Sequence, residues 1–234
     1  QLARGLVNKG VALSRLGRPN DELEAYERLE KGFGSDRTTG IREQLAKAQL
    51  YKAITLKTVG TAEQEIAAYD LLDAKFGSDV STSVKEYVAR GMMGKALKLA
   101  SMERLDDEVA MYDLLYRRFS AEESLELREQ VVRALHFKGI TLTSQGRFDS
   151  AGQVFDLLDL QFGDDESANI RERVINALIS KALNFSKADK PNEEIEVYDQ
   201  VYARFAADSS ATIREHVAKG LKFKAITLDT LGRF

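Results

Sequence analysis

Two histidines, His136 and His216, are the side chains best suited to acid–base or metal chemistry near neutral pH, and they stand 80 residues apart in the chain. There is no cysteine, which removes thiolate nucleophiles, disulfides and thiolate metal sites. No nucleophile elbow, phosphate-binding loop or metal-ligand spacing accompanies the histidines. These features argue against an enzyme and predict neither cofactor nor metal. Charge recurs instead in columns. Lysine stands at Lys9, Lys52, Lys95, Lys138, Lys181 and Lys224, and glutamate at Glu22, Glu65, Glu108 and Glu194, with Ala151 in the remaining copy. One reading pairs the two columns within each unit, Lys52 with Glu65 for example, as a repeated ladder. A partly exposed pair contributes only about 0–1 kcal/mol, whereas breaking a buried one costs several. The alternative is a lysine that lays its stem on apolar surface and keeps its ammonium in water. Ala151 is an internal control, because Lys138 must then find another partner.

A second pattern is Arg42-Glu43, Lys85-Glu86, Arg128-Glu129, Arg171-Glu172 and Arg214-Glu215, followed four residues after each Glu by Lys47, Arg90, Arg133, Asn176 or Lys219. Glu four residues before Lys or Arg is the favourable order on a helix, so these charges read as helix-stabilising pairs. An anionic partner lying along the basic stripe is the competing reading. Two neighbouring columns vary from copy to copy: Asn8, Tyr51, Gly94, Phe137, Ser180, Phe223 and Val7, Leu50, Met93, His136, Ile179, Lys222. Variation beside uniform columns suggests a surface free to differ. Tyr51, Phe137 and Phe223, with His136, Leu50, Met93, Arg90 and Arg133, are therefore the candidate partner-binding residues. Aromatics are over-represented in binding hot spots, but the same residues could instead pack between adjacent repeats.

The elements that carry these columns follow from one interval. Gly17, Gly60, Gly146 and Gly232 fall at multiples of 43 residues, with Glu103 and Asp189 in the two remaining places. Tyr26, Tyr69, Tyr112, Phe155 and Tyr198 keep the same interval, as do Phe33, Phe76, Phe119, Phe162 and Phe205. A fixed period of this length means a stacked array in which each unit buries its apolar face on its neighbours. In the unit 41–83, Ile41, Leu45, Ala48, Ala53 and Leu56 have helical spacing, and Ala46, Leu50 and Ile54 form a second apolar line. This predicts a helix A of about 18 residues, roughly 27 Å long. Gly60 then reads as its C-terminal signal, and the turns at Glu103 and Asp189 are expected to be strained or differently shaped. Pro19 and Pro191 suit the first turn of a helix B, which carries Ile66, Tyr69, Leu72 and Phe76 and stops at Gly77, as at Gly34 and Gly163. The loop 78–82 is read as supplying N-capping side chains to the next helix A. The column Gly10, Ala53, Ala96, Gly139, Ala182, Ala225 admits only a hydrogen or a methyl, which lets the aromatic of helix B approach closely.

The fold class is therefore all-α: a right-handed α-solenoid of helix–turn–helix repeats, five full repeats and a terminal helix. The expected repeats are about 1–37, 38–80, 81–123, 124–166 and 167–209, with a half repeat at 210–234. Gln1 shares the column of Gln44, and Phe234 that of Ala62 and Phe148, so the phase of both ends predicts a piece of a longer array. A net charge of −3 and a pI near 5.6 argue against general affinity for nucleic acid. No apolar run approaches the roughly 20 residues that span a bilayer. The cytoplasm is the expected compartment.

The spacing resembles the tetratricopeptide repeat: a small residue seven before a glycine (Ala53, Gly60), an apolar residue four before it (Leu56), an aromatic nine after it (Tyr69). Lys9-Gly10, Leu16-Gly17-Arg18, Lys138-Gly139, Gln145-Gly146-Arg147 and Leu231-Gly232-Arg233 look like a long-repeat bacterial variant. The departures are the interval of 43 rather than about 34, glutamate where early helix B usually has alanine, and the missing closing proline. The interval alone would suit HEAT repeats, but the small–Gly–aromatic spacing favours the tetratricopeptide type. The resemblance implies a non-catalytic scaffold that binds protein or peptide along a concave helix A surface. Stacking on copies of itself, or service as a regulatory or sensor region of a larger protein, are the alternatives.

Overall fold

The computed structural model describes residues 1–233; the expectation for Phe234 lies outside them. Among the described residues every regular element is an α-helix. The first of each pair are α1 (Leu2–Arg15), α3 (Thr39–Val59), α5 (Thr82–Ser101), α7 (Leu125–Ser144), α9 (Ala168–Lys187) and α11 (Ala211–Thr230). The second are α2 (Pro19–Phe33), α4 (Ala62–Phe76), α6 (Leu105–Phe119), α8 (Phe148–Phe162) and α10 (Pro191–Phe205). Helix A thus runs 20 or 21 residues after the first copy, slightly longer than expected, and helix B 15. Pro19 and Pro191 stand in the first turns of α2 and α10.

The chain divides into two compact units, Gln1–Leu115 and Tyr116–Phe234. In the first, each of α1 to α4 packs on its successor, and α1, α3 and α5 pack on one another in sequence. In the second, α7 to α11 repeat that pattern. A helix flanked in this way needs two apolar sides, which is why α3, α5, α7 and α11 read as weakly one-sided in sequence. The cores are built from the helix B aromatics and aliphatics (Tyr26, Leu29, Tyr69, Leu72, Phe76 in the first unit; Phe155, Leu158, Tyr198, Val201, Phe205 in the second), all buried. The ring of Tyr26 lies over Gly10, and that of Phe155 over Gly139, so closely that a Cβ at either glycine would overlap it.

At Glu103 and Asp189 the A–B turns keep the shape of the glycine copies, and the expected strain takes the form of a side chain on left-handed backbone. Glu103 and Asp189 both have φ of 57°, beside 67° at Gly17, 72° at Gly146 and 63° at Gly232. The hydrogen bonds coincide as well. The next amide reaches back to the same helical register: Arg18 to Leu13 O at 3.0 Å, Arg104 to Leu99 O at 3.0 Å, Lys190 to Phe185 O at 2.9 Å. This is the Schellman closure, and the non-glycine residues enter it with its left-handed backbone. The turn that differs is the one at Gly60, where φ is −101° and ψ −178°. There Thr61 replaces the Arg or Lys of the other copies and closes a capping box: its hydroxyl accepts from Gln64 N at 3.3 Å, and Gln64 Oε1 accepts from Thr61 N at 2.9 Å. A helix that starts this way has no use for the left-handed residue. Gly34, Gly77 and Gly163 end helix B in right-handed conformation. The following loops are held by aspartates, Asp79 accepting from Ser81 N at 3.0 Å, Asp165 from Ser167 N at 2.8 Å and Asp208 from Ser210 N at 2.8 Å, while Ser81 and Ser167 make no side-chain cap. Side-chain caps occur at Thr61, Ser124 and Ser210.

Candidate binding face

The lysine column makes a ladder, but between repeats rather than within them. Lys52 Nζ meets Glu27 at 3.1 Å, Lys95 meets Asp70 at 2.5 Å, Lys181 meets Asp156 at 2.6 Å, and Lys224 meets Asp199. Each acid directly follows the core aromatic of the preceding helix B. The expected partner, the Glu column, is too deep: Glu22, Glu65 and Glu194 are 2–3% exposed. These carboxylates are served from inside. Tyr26 donates its hydroxyl to Glu22 Oε1 at 3.0 Å, one helical turn away. Glu65 takes the ammonium of Lys98 at 3.0 Å, and Glu194 the hydroxyl of Thr227 at 3.0 Å; both donors come from the next helix A at the same register. Where Ala151 removes the carboxylate, Asn184 donates instead to Phe148 O at 3.1 Å. Burial first, and then the Glu22 charge, keeps Tyr26 protonated far above the ordinary phenol range; burial and Glu65 push Tyr69 up to about 12.

The dipeptide column is also structural. Arg42 reaches Asp79 at 2.7 Å and Arg171 reaches Asp208 at 3.0 Å, pinning the start of helix A to the loop that ends the same repeat. Burial works to raise the Asp79 carboxyl, but the Ser81 amide and Arg42 prevail and hold it below the usual range. At Asp208 the Ser210 amide acts first, aided by Arg171 against burial. The basic residue expected to pair with Glu43 lies elsewhere: the Lys47 ammonium sits over the Tyr51 ring, 5.8 Å from its centre, and Lys219 sits over Phe223 at 5.9 Å.

The candidate partner-binding residues divide. Leu50 and Met93 are 1% and 2% exposed, so they belong to the core and cannot meet a partner. Their column varies because each member fits a different neighbour in the sandwich. Tyr51 and Phe223 are half-buried against Tyr26 and Tyr198, with ring centres 6.4 Å apart in both pairs. Phe137 is half-buried and stacks on His136 at 6.0 Å. His136 bonds Ser180 Oγ at 2.9 Å, and its pKa falls to about 4 through burial and the nearby Arg173 charge. Arg133 donates to Gln130 at 3.1 Å, and Arg90 is exposed. His216 hydrogen-bonds Thr212 O at 2.7 Å on a different helix from His136. Among the described residues no three His, Asp or Glu side chains are grouped to hold a metal, and no helix is long and apolar enough to cross a membrane.

The exposed apolar surface lies one position beyond the small-residue column. In the first unit it is Val11, Ile54 and Leu97, in the second Ile140, Leu183 and Ile226; the five after Val11 are 40–53% exposed. Every copy of helix A carries an aliphatic residue at this register, reaching water. Helix B has no such row, since its exposed apolar residues Leu71, Leu160 and Tyr202 fall at three different registers. Helix B is instead laced across repeats by polar pairs: Lys75 with Glu30, Arg204 with Asp159 at 2.7 Å, Tyr116 with Gln161 at 3.1 Å. A uniform aliphatic column reads as core, and for that reason the sequence alone does not single the row out.

An array of antiparallel helix pairs, closed by small–aromatic contacts and left-handed turns, has the tetratricopeptide-like repeat fold. Comparison with family models and with curated proteins finds no match. Solved structures do match. A putative kinesin light chain from Podospora anserina, with nearly identical TPR-like repeats, superposes with a TM-score of 0.59 at 12% identity, over 90% of this chain and 99% of that one. A single-residue variant of that protein gives 0.58 at 13% identity, over 87% and 94%. A tetratricopeptide repeat protein from Parabacteroides merdae gives 0.51 at 11%, over 97% and 89%.

Proposed function

We propose that this chain is a non-catalytic scaffold that binds a protein segment laid across its A helices. The observation that carries this reading is the exposed aliphatic row, Val11–Ile54–Leu97 in one unit and Ile140–Leu183–Ile226 in the other. Repeated apolar exposure at one register of the A helices, in an otherwise charged chain, marks an interaction surface in each unit. Covering one half-exposed Ile or Leu gains about 1 kcal/mol, so a segment must engage several. The A helices also carry basic groups in reach of water: Arg4, Arg90 and Lys219 are exposed, and Lys47 and Lys219 rest on aromatic rings. The preferred segment therefore combines spaced apolar side chains with carboxylates. Helix B, whose polar groups already pair with one another, offers less.

The test is selection of peptides from a displayed random library on the intact chain, followed by binding to two variants. Peptides that use this face lose affinity at least tenfold toward Ile54→Asp/Leu97→Asp and keep it toward Leu160→Asp. Retention by the first variant together with loss by the second would overturn the assignment.

A further inference from the structure

The buried carboxylates Glu65 and Glu194 each take a donor from the next helix A at a constant register, and Glu22 lacks that donor. Lys98 supplies Glu65 with an ammonium at 3.0 Å, and Thr227 supplies Glu194 with a hydroxyl at 3.0 Å. The residue at that register for Glu22 is Thr55, whose hydroxyl donates to Tyr51 O at 2.9 Å instead. Glu22 is 3% exposed, and its hydrogen bond comes from Tyr26, a neutral donor, with no ion pair among the described residues. Above it opens a cleft of about 210 Å³ between α1, α2 and α3, bordered by Val11, Tyr26, Tyr51 and Ile54, with Arg15 exposed at the mouth. A carboxylate beneath apolar and aromatic walls is costly to leave without a cation. One repeat further on, the Lys98 stem and ammonium show what fits.

We propose that the Glu22 cleft binds an alkylammonium group, with the ammonium on the Glu22 carboxylate and the alkyl stem between Val11, Tyr51 and Ile54. A primary ammonium suits it because it is compact and carries three donors on a slender stem, and because the adjacent ring faces of Tyr26 and Tyr51 favour a cation. The group can come from a lysine side chain of a bound protein or from a free alkyl amine. The site shares Val11 and Ile54 with the aliphatic row and is complete within α1, α2 and α3; its dependence on the Glu22 charge, read by the norleucine control, separates it from apolar binding along the row.

The experiment is an NMR titration of the full chain with three probes: acetyl-Ala-Lys-Ala-amide, its norleucine analogue, and n-butylammonium. The lysine peptide is expected to shift Tyr26, Tyr51 and Ile54 resonances saturably, with the norleucine peptide at least about tenfold weaker, as loss of a charged hydrogen-bonding partner implies. Glu22→Gln weakens the lysine peptide to a similar degree. Thr55→Lys supplies the internal ammonium seen at Lys98, so it abolishes binding and raises the Tm; this variant keeps the proposal falsifiable if Glu22→Gln does not fold. Tighter binding of the peptide than of n-butylammonium assigns the site to a protein side chain, and equal binding assigns it to free amines. Equal affinity for lysine and norleucine peptides, or unchanged binding to Thr55→Lys, overturns the site.

Discussion

Asp189 and Gly146 hold the same turn, with φ of 57° and 72° and matching bonds from Lys190 N to Phe185 O and from Arg147 N to Leu142 O, both 2.9 Å. A side chain makes the left-handed backbone costly, and glycine does not. Asp189→Gly and Glu103→Gly should each raise stability by about 0.5–1 kcal/mol, read as a shift of the urea midpoint. Gly17→Ala, at φ 67° with open space around it, should lower stability by about 1 kcal/mol.

Gly10→Ala and Gly139→Ala fail for a different reason. Their backbones are helical, where alanine is favoured, yet the added methyl meets the Tyr26 or Phe155 ring. A loss of about 1–3 kcal/mol is expected. Combining Gly139→Ala with Phe155→Leu should recover part of it, and chemical denaturation of the single and double variants reads this out.

The Lys98–Glu65 pair joins a side chain 22% exposed to one 3% exposed. Lys98→Met strands the carboxylate and should cost about 2–4 kcal/mol, less than for a fully buried pair because Lys98 touches water. Adding Glu65→Gln to Lys98→Met should return much of that loss, as a double-mutant cycle by denaturant titration would show.

His136 is held neutral by burial and by Arg173, with a pKa near 4 against 6.5 in the unfolded chain. Between those values the unfolded state binds the extra proton, so stability falls as pH is lowered from about 6.5 to about 4, and its contribution is complete above 6.5. The decline attributable to this residue is of order 1–3 kcal/mol. His136→Gln should flatten that part of the stability–pH curve; an unchanged slope would remove His136 as its cause.

The helices, their order and the small–aromatic contacts were legible in the sequence because a strict interval repeats each signal several times. The turn geometry was not: glycine at position 60 looked regular and Glu103 irregular, but turn shape depends on the bonds on both sides, and Thr61–Gln64 changes the far side. The candidate face was half legible. Tyr51, Phe137 and Phe223 stand on helix A as read, but uniformity and variation pointed the wrong way. Leu50 and Met93 vary and are buried, whereas Ile54, Leu97, Ile140, Leu183 and Ile226 barely vary and face water. Side-chain chemistry alone does not say whether a neighbouring helix covers a second apolar side.

The lysine ladder carries one further consequence. Its rungs join residues 25 apart in sequence, Lys52 to Glu27 and Lys95 to Asp70, always across a repeat boundary. Excision of residues 39–81 would bring Lys95 to Glu27, and Lys98 to Glu22, with every bond type kept. The chain can therefore lose or duplicate whole modules by recombination without inventing a new interface, whereas a single residue inserted between the two ends of a rung, such as between Glu27 and Lys52, would put that rung out of step.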